Sequence, residues 1–380
     1  MKGNKGEWSE LYVLIKLMAD GKLYQSDTHL KKDDKHVYDV IKAYKGENSY
    51  SLEFIRNDKV EIFKVNDTYS LVNNFDVLDF ETFSKHLFIG IKNGKGKSFS
   101  LPNLEDFFAQ CGIKSVKAKS TTKADLKLRI YDHRLAKETD LGFSIKSLIG
   151  GKSTLFNTGT GNNFIYNVNG SKDLDINKFN SDTYSPVSRQ SKIACRLQTL
   201  EKNNFKVNFK EIQSKQLWRN LKMIDGDLPE ILSFALYYRW IYEVSSLTKV
   251  TQLLEDKDPL NFYNREKSPQ KLYEYKIKRF LTESAMGMTS ETPWFGEYDS
   301  FGGVIVAKKD GDVVCFHIYD FNLFREYLIN NTVFEQPATG EDEFNPGHES
   351  ESSTKNYNYG WLYQEDEQLK FKINIQIRFK

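Results

Sequence analysis

The chain has 380 residues and a mass of 44.2 kDa, with 39% hydrophobic, 14% aromatic and 28% charged residues. That supplies core material for one large domain or two, and it excludes a disordered tail. The longest apolar stretch, Leu11–Ala19, is interrupted by Lys16 and falls far short of the ~20 residues of a membrane span, and Met1–Glu7 lacks the apolar segment of a secretory signal. Three dispersed cysteines, Cys111, Cys195 and Cys315, form no CxxC pair, which excludes a disulfide framework and a thiolate zinc site and fits a reducing cytoplasm.

The formal net charge of +2 conceals an asymmetry. Residues 1–115 hold 17 basic and 17 acidic side chains, residues 116–280 hold 29 and 18, and residues 281–380 hold 8 and 17. A basic middle beside an acidic end predicts a positive groove for a polyanion.

In chain order, Glu7–Asp20 reads as a helix stopping near Gly21, with Trp8, Leu11, Tyr12, Ile15 and Met18 at helical spacing. Strands follow at Val37–Tyr44, Tyr50–Arg56, Lys59–Val65 and Tyr69–Val72, with Asn57-Asp58 as a hairpin turn. Leu78–Leu87 and Leu104–Cys111 read as helices, and Ala124–Tyr131 and Gly142–Ser147 carry the most regular strand alternation. The loop Gly150–Asn163 leads into a short apolar run, Phe164–Val168. Helices are predicted over Ser188–Lys202, Leu228–Val244, Pro269–Ser284 and Asp320–Asn331. Val304–Lys308 and Val313–Tyr319 flank the hairpin signal Asp310-Gly311, Glu341–Thr354 is an acidic loop, and Leu369–Phe379 is a final strand. The expected class is mixed α/β. Residues 1–200 would form a core with the N-terminal helix, and 201–380 a helical and β-hairpin region packed with it as one unit.

Alternation places Ala124, Leu126, Leu128 and Ile130 on one strand face and Asp125, Lys127, Arg129 and Tyr131 on the other. In the next segment Phe143 and Ile145 oppose Ser144 and Lys146. A hairpin turning within Asp132–Asp140 brings Asp125 beside Lys146. A carboxylate there suits a hard divalent cation in phosphodiester hydrolysis, with the backbone carbonyl of Ile145 as a further ligand and the lysine positioning or activating water. The competing reading is a surface cross-strand ion pair. Two carboxylates on the first helix bear on the choice. Glu10 shares its face with Val13, Leu14 and Leu17, where a carboxylate is costly unless paired or metal-bound. Glu7 lies one turn earlier, where it also suits the helix dipole.

A helix-borne Glu, a strand Asp and a second strand ending in x-x-Lys resemble the PD-(D/E)XK nuclease core. More narrowly, several segments resemble the HpaII family of type II restriction endonucleases. They are Lys2–Tyr12, Ala124–Leu128, Leu141–Ser147, Asn162–Tyr166, Asp225–Glu230, Tyr275–Thr282 and Asn374–Lys380. The resemblance runs end to end. It implies a restriction-endonuclease-like core in which Asp125 binds metal and Lys146 is the active-site lysine. Ser144 stands where that pattern has an acidic residue, so Glu10, Glu7 or Asp140 would supply the missing carboxylate. The implied activity is Mg²⁺-dependent cleavage of both strands of duplex DNA at a short CG-rich palindrome, 5′-CCGG as the first guess, leaving 5′-phosphates. A homodimer on the palindrome and a companion methyltransferase as functional partner follow. The alternatives are a DNA-binding protein without catalysis and a nicking or repair nuclease.

Gly150-Gly151-Lys152-Ser153-Thr154 is not a P-loop, because Lys146 occupies the position of the first glycine, and Gly159–Phe164 lacks the third glycine of a dinucleotide fingerprint. Lys152, Asn157, Asn162 and Asn163 are candidates for phosphate or base contact, against plain loop structure. Lys276, Lys278 and Arg279 are candidates for phosphate contact, against a solvated helix face.

Overall fold

The computed structural model describes residues 1–117, 124–151, 153–170, 174–181, 191–264, 266, 268–297, 302–337 and 357–380. The elements run β1 (Lys2–Gly3), α1 (Lys5–Asp20), β2 (Lys22–Ser26), β3 (Lys32–Gly46), β4 (Ser51–Arg56), β5 (Lys59–Val65), β6 (Tyr69–Asp76), α2 (Val77–Asn93), β7 (Phe99–Ser100), α3 (Glu105–Gln110), β8 (Leu126–Asp132), β9 (Lys137–Ser147), β10 (Thr154–Phe156), β11 (Asn163–Asn169), α4 (Ile176–Ser181) and α5 (Lys192–Lys202). They continue with β12 (Lys206–Ile212), α6 (Lys215–Ile224), α7 (Leu228–Ile241), α8 (Leu247–Lys257), α9 (Leu272–Ala285), β13 (Gly303–Ala307), β14 (Val313–His317), α10 (Phe321–Asn331), β15 (Thr332–Phe334), β16 (Leu362–Glu365), β17 (Gln368–Asn374) and β18 (Ile377–Phe379). The class is mixed α/β, as expected. No helix among the described residues is long and apolar enough to cross a membrane.

The chain forms two compact units, Met1–Ser153 with Tyr298–Tyr327, and Thr154–Glu297 with Leu328–Lys380. This differs from the expected division at residue 200, and strand pairing explains why. β13 pairs in parallel with β9, so the 303–317 hairpin completes the N-terminal sheet. β17 and β18 likewise complete sheets begun by β11 and β10. The predicted terminal strand Leu369–Phe379 is therefore two strands in different sheets. The predicted acidic loop Glu341–Thr354 lies outside the described residues.

In the first unit, strands run in the order β2-β14-β13-β9-β8-β3-β4-β5-β6, and β2 also pairs with β3. β3 makes this possible by its length. One edge of β3 takes β8, and the other takes β2 along its first half and β4 along its second. Irregularities at Tyr24/Gln25 and Val40/Lys42 accompany the change of partner. Six strands thus close into a ring, and β4, β5 and β6 extend from it as a meander. The closed ring departs from the open sheet of a typical PD-(D/E)XK core. Asn4 caps α1, and Gly21 ends it in the left-handed conformation, φ 67°. α1 is buried on almost every face, from Trp8 through Ala19, and packs against β3, β9, β14, β2 and β4.

In the second unit, β12-β11-β17-β16 form one sheet and β10-β18-β15 another. α7 is buried through Leu228, Ile231, Leu232, Ala235, Leu236 and Trp240, as its continuous apolar pattern requires. The strand β12 and the helices α6 and α8 were not among the sequence expectations.

Candidate active site

The hairpin β8–β9 delivers the central residues. Leu126, Leu128 and Ile130 face the core, and Lys127, Arg129 and Tyr131 face outward, as alternation predicts. The register differs from expectation. Asp132 pairs with Lys137, so the turn is short, and Leu126 pairs with Phe143. The predicted loop 132–140 assumed no pairing there, yet Glu138 and Asp140 continue the ladder opposite Tyr131 and Arg129. The tighter turn slides Asp125 to a place beside Ser144 rather than directly opposite Lys146.

Asp125 is held from three sides. Its N–H donates to the Phe143 carbonyl at 3.0 Å. Its Oδ2 accepts from the Ile145 N–H at 2.7 Å and the Ser144 hydroxyl at 3.1 Å. Among the described residues Oδ1 has no donor. Ser144 therefore orients Asp125 instead of adding a carboxylate. The Ile145 N–H points at Asp125, and in a strand the carbonyl of the same residue shares that side. Lys146 is part-buried, and its ammonium makes no hydrogen bond or ion pair with a described residue. Burial holds its amine below the usual lysine range, against the attraction of Asp125 and Glu10.

Glu10 reaches the same place from α1. It lines a cleft of about 20 Å³ with Leu11, Leu14, Tyr44, Lys45, Val116, Asp125 and Leu126. Its carboxyl is pushed up to about 8, first by burial and then by the negative charges of Asp125 and Glu7. Glu7 itself is engaged elsewhere. It closes a capping box, its carboxylate accepting from the Asn4 N–H at 2.9 Å while Asn4 accepts from Glu7 at 3.0 Å. Asp140 is taken by Arg129 at 2.7 and 3.1 Å and by Tyr44 at 3.2 Å, so it does not supply the missing carboxylate. Among the described residues no group of three or more His, Cys, Asp or Glu is arranged to hold a metal ion by itself. The oxygen donors are the two carboxylates and the Ile145 carbonyl.

Lys45 went unnoticed in the sequence because the strand was expected to end at Tyr44. β3 runs on to Gly46, and Ala43, Lys45 and Glu47 take successive buried positions. A lysine and a glutamate with the parity of a buried alanine were the available signal.

The candidates for DNA contact fare unequally. Lys152 lies outside the described residues. Asn157 is exposed, and its carbonyl accepts from Asn162 at 2.9 Å. Asn162 and Asn163 are buried at 1% exposure, which corrects their assignment as base readers. The Asn163 amide donates to Gln213 at 3.0 Å and to the Tyr357 carbonyl at 3.1 Å, and its oxygen accepts from Asn374 at 2.7 Å. Asn163→Ala is expected to cost ~2–3 kcal/mol, because it orphans buried partners, and a urea midpoint will read it. Lys276 is also corrected. Its ammonium binds Asp225 at 2.7 Å and Asp227 at 3.0 Å. Lys278 is buried and pairs with Glu274 at 2.5 Å. Arg279 keeps 35% of its side chain exposed, with Asp225 at 3.9 Å, and stays a candidate for phosphate contact.

Comparison with known proteins identifies the family. The family model "HpaII restriction endonuclease" matches residues 4–379. The type II restriction enzyme HpaII of Haemophilus parainfluenzae is 32% identical over 381 aligned residues, covering 99% of this chain and 98% of that protein. No solved structure matches the chain. Two carboxylates line one cleft and the Lys146 amine lies within range of their charge, in a chain matched from end to end. The chain belongs to the HpaII family of type II restriction endonucleases.

Proposed function

We propose that this enzyme hydrolyses both strands of duplex DNA at a short CG-rich palindrome, 5′-CCGG being the first to test, with Mg²⁺ and release of 5′-phosphates. It acts as a homodimer whose two-fold axis matches the palindrome. A methyltransferase protecting host DNA is its functional partner. The observation that carries the reading is that Asp125 and Glu10 line one cleft, with the Lys146 amine near enough to feel the charge of both.

The donor set fits Mg²⁺. Hard oxygen ligands are present, the cleft has room for one water-sized species, and this ion takes one or two carboxylates and completes its shell with water and phosphate oxygens. Asp125 and Glu10 would hold it, with the Ile145 carbonyl as a third ligand. When bound, the cation supplies positive charge to the phosphoryl and leaving oxygens. Asp125, Ser144 and Lys146 stand in the places of the PD-(D/E)XK pattern, and Glu10 supplies the carboxylate that Ser144 lacks. The closed ring of strands does not carry this assignment; the site residues do.

The chain's own groups divide the work. The Ile145 N–H and Ser144 hydroxyl fix the Asp125 carboxylate, leaving its other oxygen to face the cleft. Lys146 orients the attacking water and accepts its proton, a role that its lowered affinity for protons favours. Water attacks phosphorus, the bond to the 3′-oxygen breaks, and that oxygen leaves as a 3′-hydroxyl after taking a proton from solvent.

Incubation with plasmid and Mg²⁺ tests the reading. Linear product with uniform ends is expected, and sequencing those ends gives the site and the cut position. Intact plasmid would overturn the nuclease assignment, and nicked circles without linear product would make it a single-strand nickase. Arg279→Ala is expected to weaken DNA binding alike for all sequences and to reduce the slope of log affinity against log salt by about 1. Fluorescence anisotropy with Ca²⁺ at three salt concentrations measures this.

A further inference from the structure

The buried ion pair beside the cleft has no part in the mechanism above. The Lys45 ammonium binds Glu47 Oε1 at 2.9 Å, and both side chains are almost wholly enclosed, at 4% and 2% exposure. Glu47 cannot turn away, because its carboxylate also accepts from the Ser115 hydroxyl at 2.9 Å and the Lys114 N–H at 3.2 Å. These bonds hold Lys45 in the wall that it shares with Glu10 and Asp125. A buried ion pair adds little stability compared with an apolar pair of the same size, and this one takes core positions that alternation assigns to apolar residues. Its cost to the fold directs attention to the cleft. There the positive charge of Lys45 acts on Glu10, alongside Lys117, while Asp125 and Glu7 act with the opposite sign.

We propose that Lys45, locked by Glu47, is a positioning residue of the cleavage site: its ammonium competes with the divalent cation for Glu10, so the free enzyme holds the cation weakly and loads it when a DNA phosphate adds negative charge. This rests on the reading that Glu10 and Asp125 hold the cation. The lysine is a fixed internal counter-ion. The phosphate shifts the balance of charge toward the metal, and cation loading becomes conditional on DNA.

The test is Mn²⁺ binding to the full chain without DNA, measured by electron paramagnetic resonance alongside thermal melting. The Lys45→Met/Glu47→Gln double variant keeps the pair's volume and net charge. It is expected to bind Mn²⁺ more tightly than wild type, by a few-fold, because the positive member of the pair is the one that lines the cleft beside Glu10. Its melting temperature should match wild type, and Lys45→Arg should restore weak binding. A merely structural pair would leave the affinity unchanged or lower it, and either result overturns the proposal. Should the double variant fail to fold, Lys45→Gln, which keeps a polar partner for Glu47, is measured in its place against the same outcomes. Asp125→Asn separates the two readings. If it binds Mn²⁺ as well as wild type does, the assignment of Asp125 as a ligand fails, whatever the Lys45 variants show.

Discussion

Asp125→Asn should leave the enzyme folded and slow DNA cleavage by at least about a thousandfold, the loss of several kcal/mol of transition-state stabilisation. Asparagine has the shape of aspartate, and its oxygen still accepts from the Ile145 N–H, now at 2.7 Å, so the end of β8 should hold. What disappears is the negative charge of a residue that β9 holds in the wall of the cleft. Single-turnover cleavage measures the rate, and circular dichroism with a thermal melt checks the fold. A variant that folds normally and cuts within tenfold of wild type would remove Asp125 from the metal site. Asp140→Asn is the contrasting case. Its carboxylate serves Arg129 and Tyr44, so cleavage should change little.

Glu10→Gln should make the metal-free protein more stable at alkaline pH. Burial and the charges of Asp125 and Glu7 raise this carboxyl from 4.5 to about 8. The folded state therefore binds a proton that the unfolded state has already released. The corresponding stability is fully present below pH ~4.5 and is lost as pH rises through about 8. Glutamine has nothing to ionise, so its advantage should grow from near zero at pH 4.5 to ~2–4 kcal/mol at pH 8.5, after allowance for the cleft's contact with water. Urea unfolding in chelator at the two pH values reads the difference, and parallel pH profiles would refute it. Added Mg²⁺ should narrow the gap by stabilising wild type alone, with release of a proton from Glu10 on binding.

How far the sequence disclosed the site depends on the residue. Asp125, Lys146 and Ile145 lie in segments whose period-2 pattern is clean, and their faces were readable before any coordinates. Glu10 was conspicuous because a carboxylate interrupted an apolar helix face. The register was not readable. The loop between the strands contains charged residues that look like turn material, yet Lys137–Asp140 pair with β8 and shorten the turn, which moves Asp125 beside Ser144. Asn162 and Asn163 resembled loop amides free to meet bases, because nothing local shows that Asn374, more than 200 residues away, closes a buried network around them. Lys276 looked like a phosphate ligand for the same reason, since the Asp225 that neutralises it lies on another element.

The order of residues by itself determined many of the strands and helices, the apolar face of those, and the family to which the chain belongs. Those properties depend on side-chain spacing within a few turns or pleats and on likeness along the chain. Only the tertiary structure decided that β13 returns beside β9, that β2 and β3 close a ring, and that Lys45 and Glu47 stand in the wall of the Glu10–Asp125 cleft. These are pairings between distant segments, and their partners are selected by shape and charge once the core assembles, which no local pattern encodes.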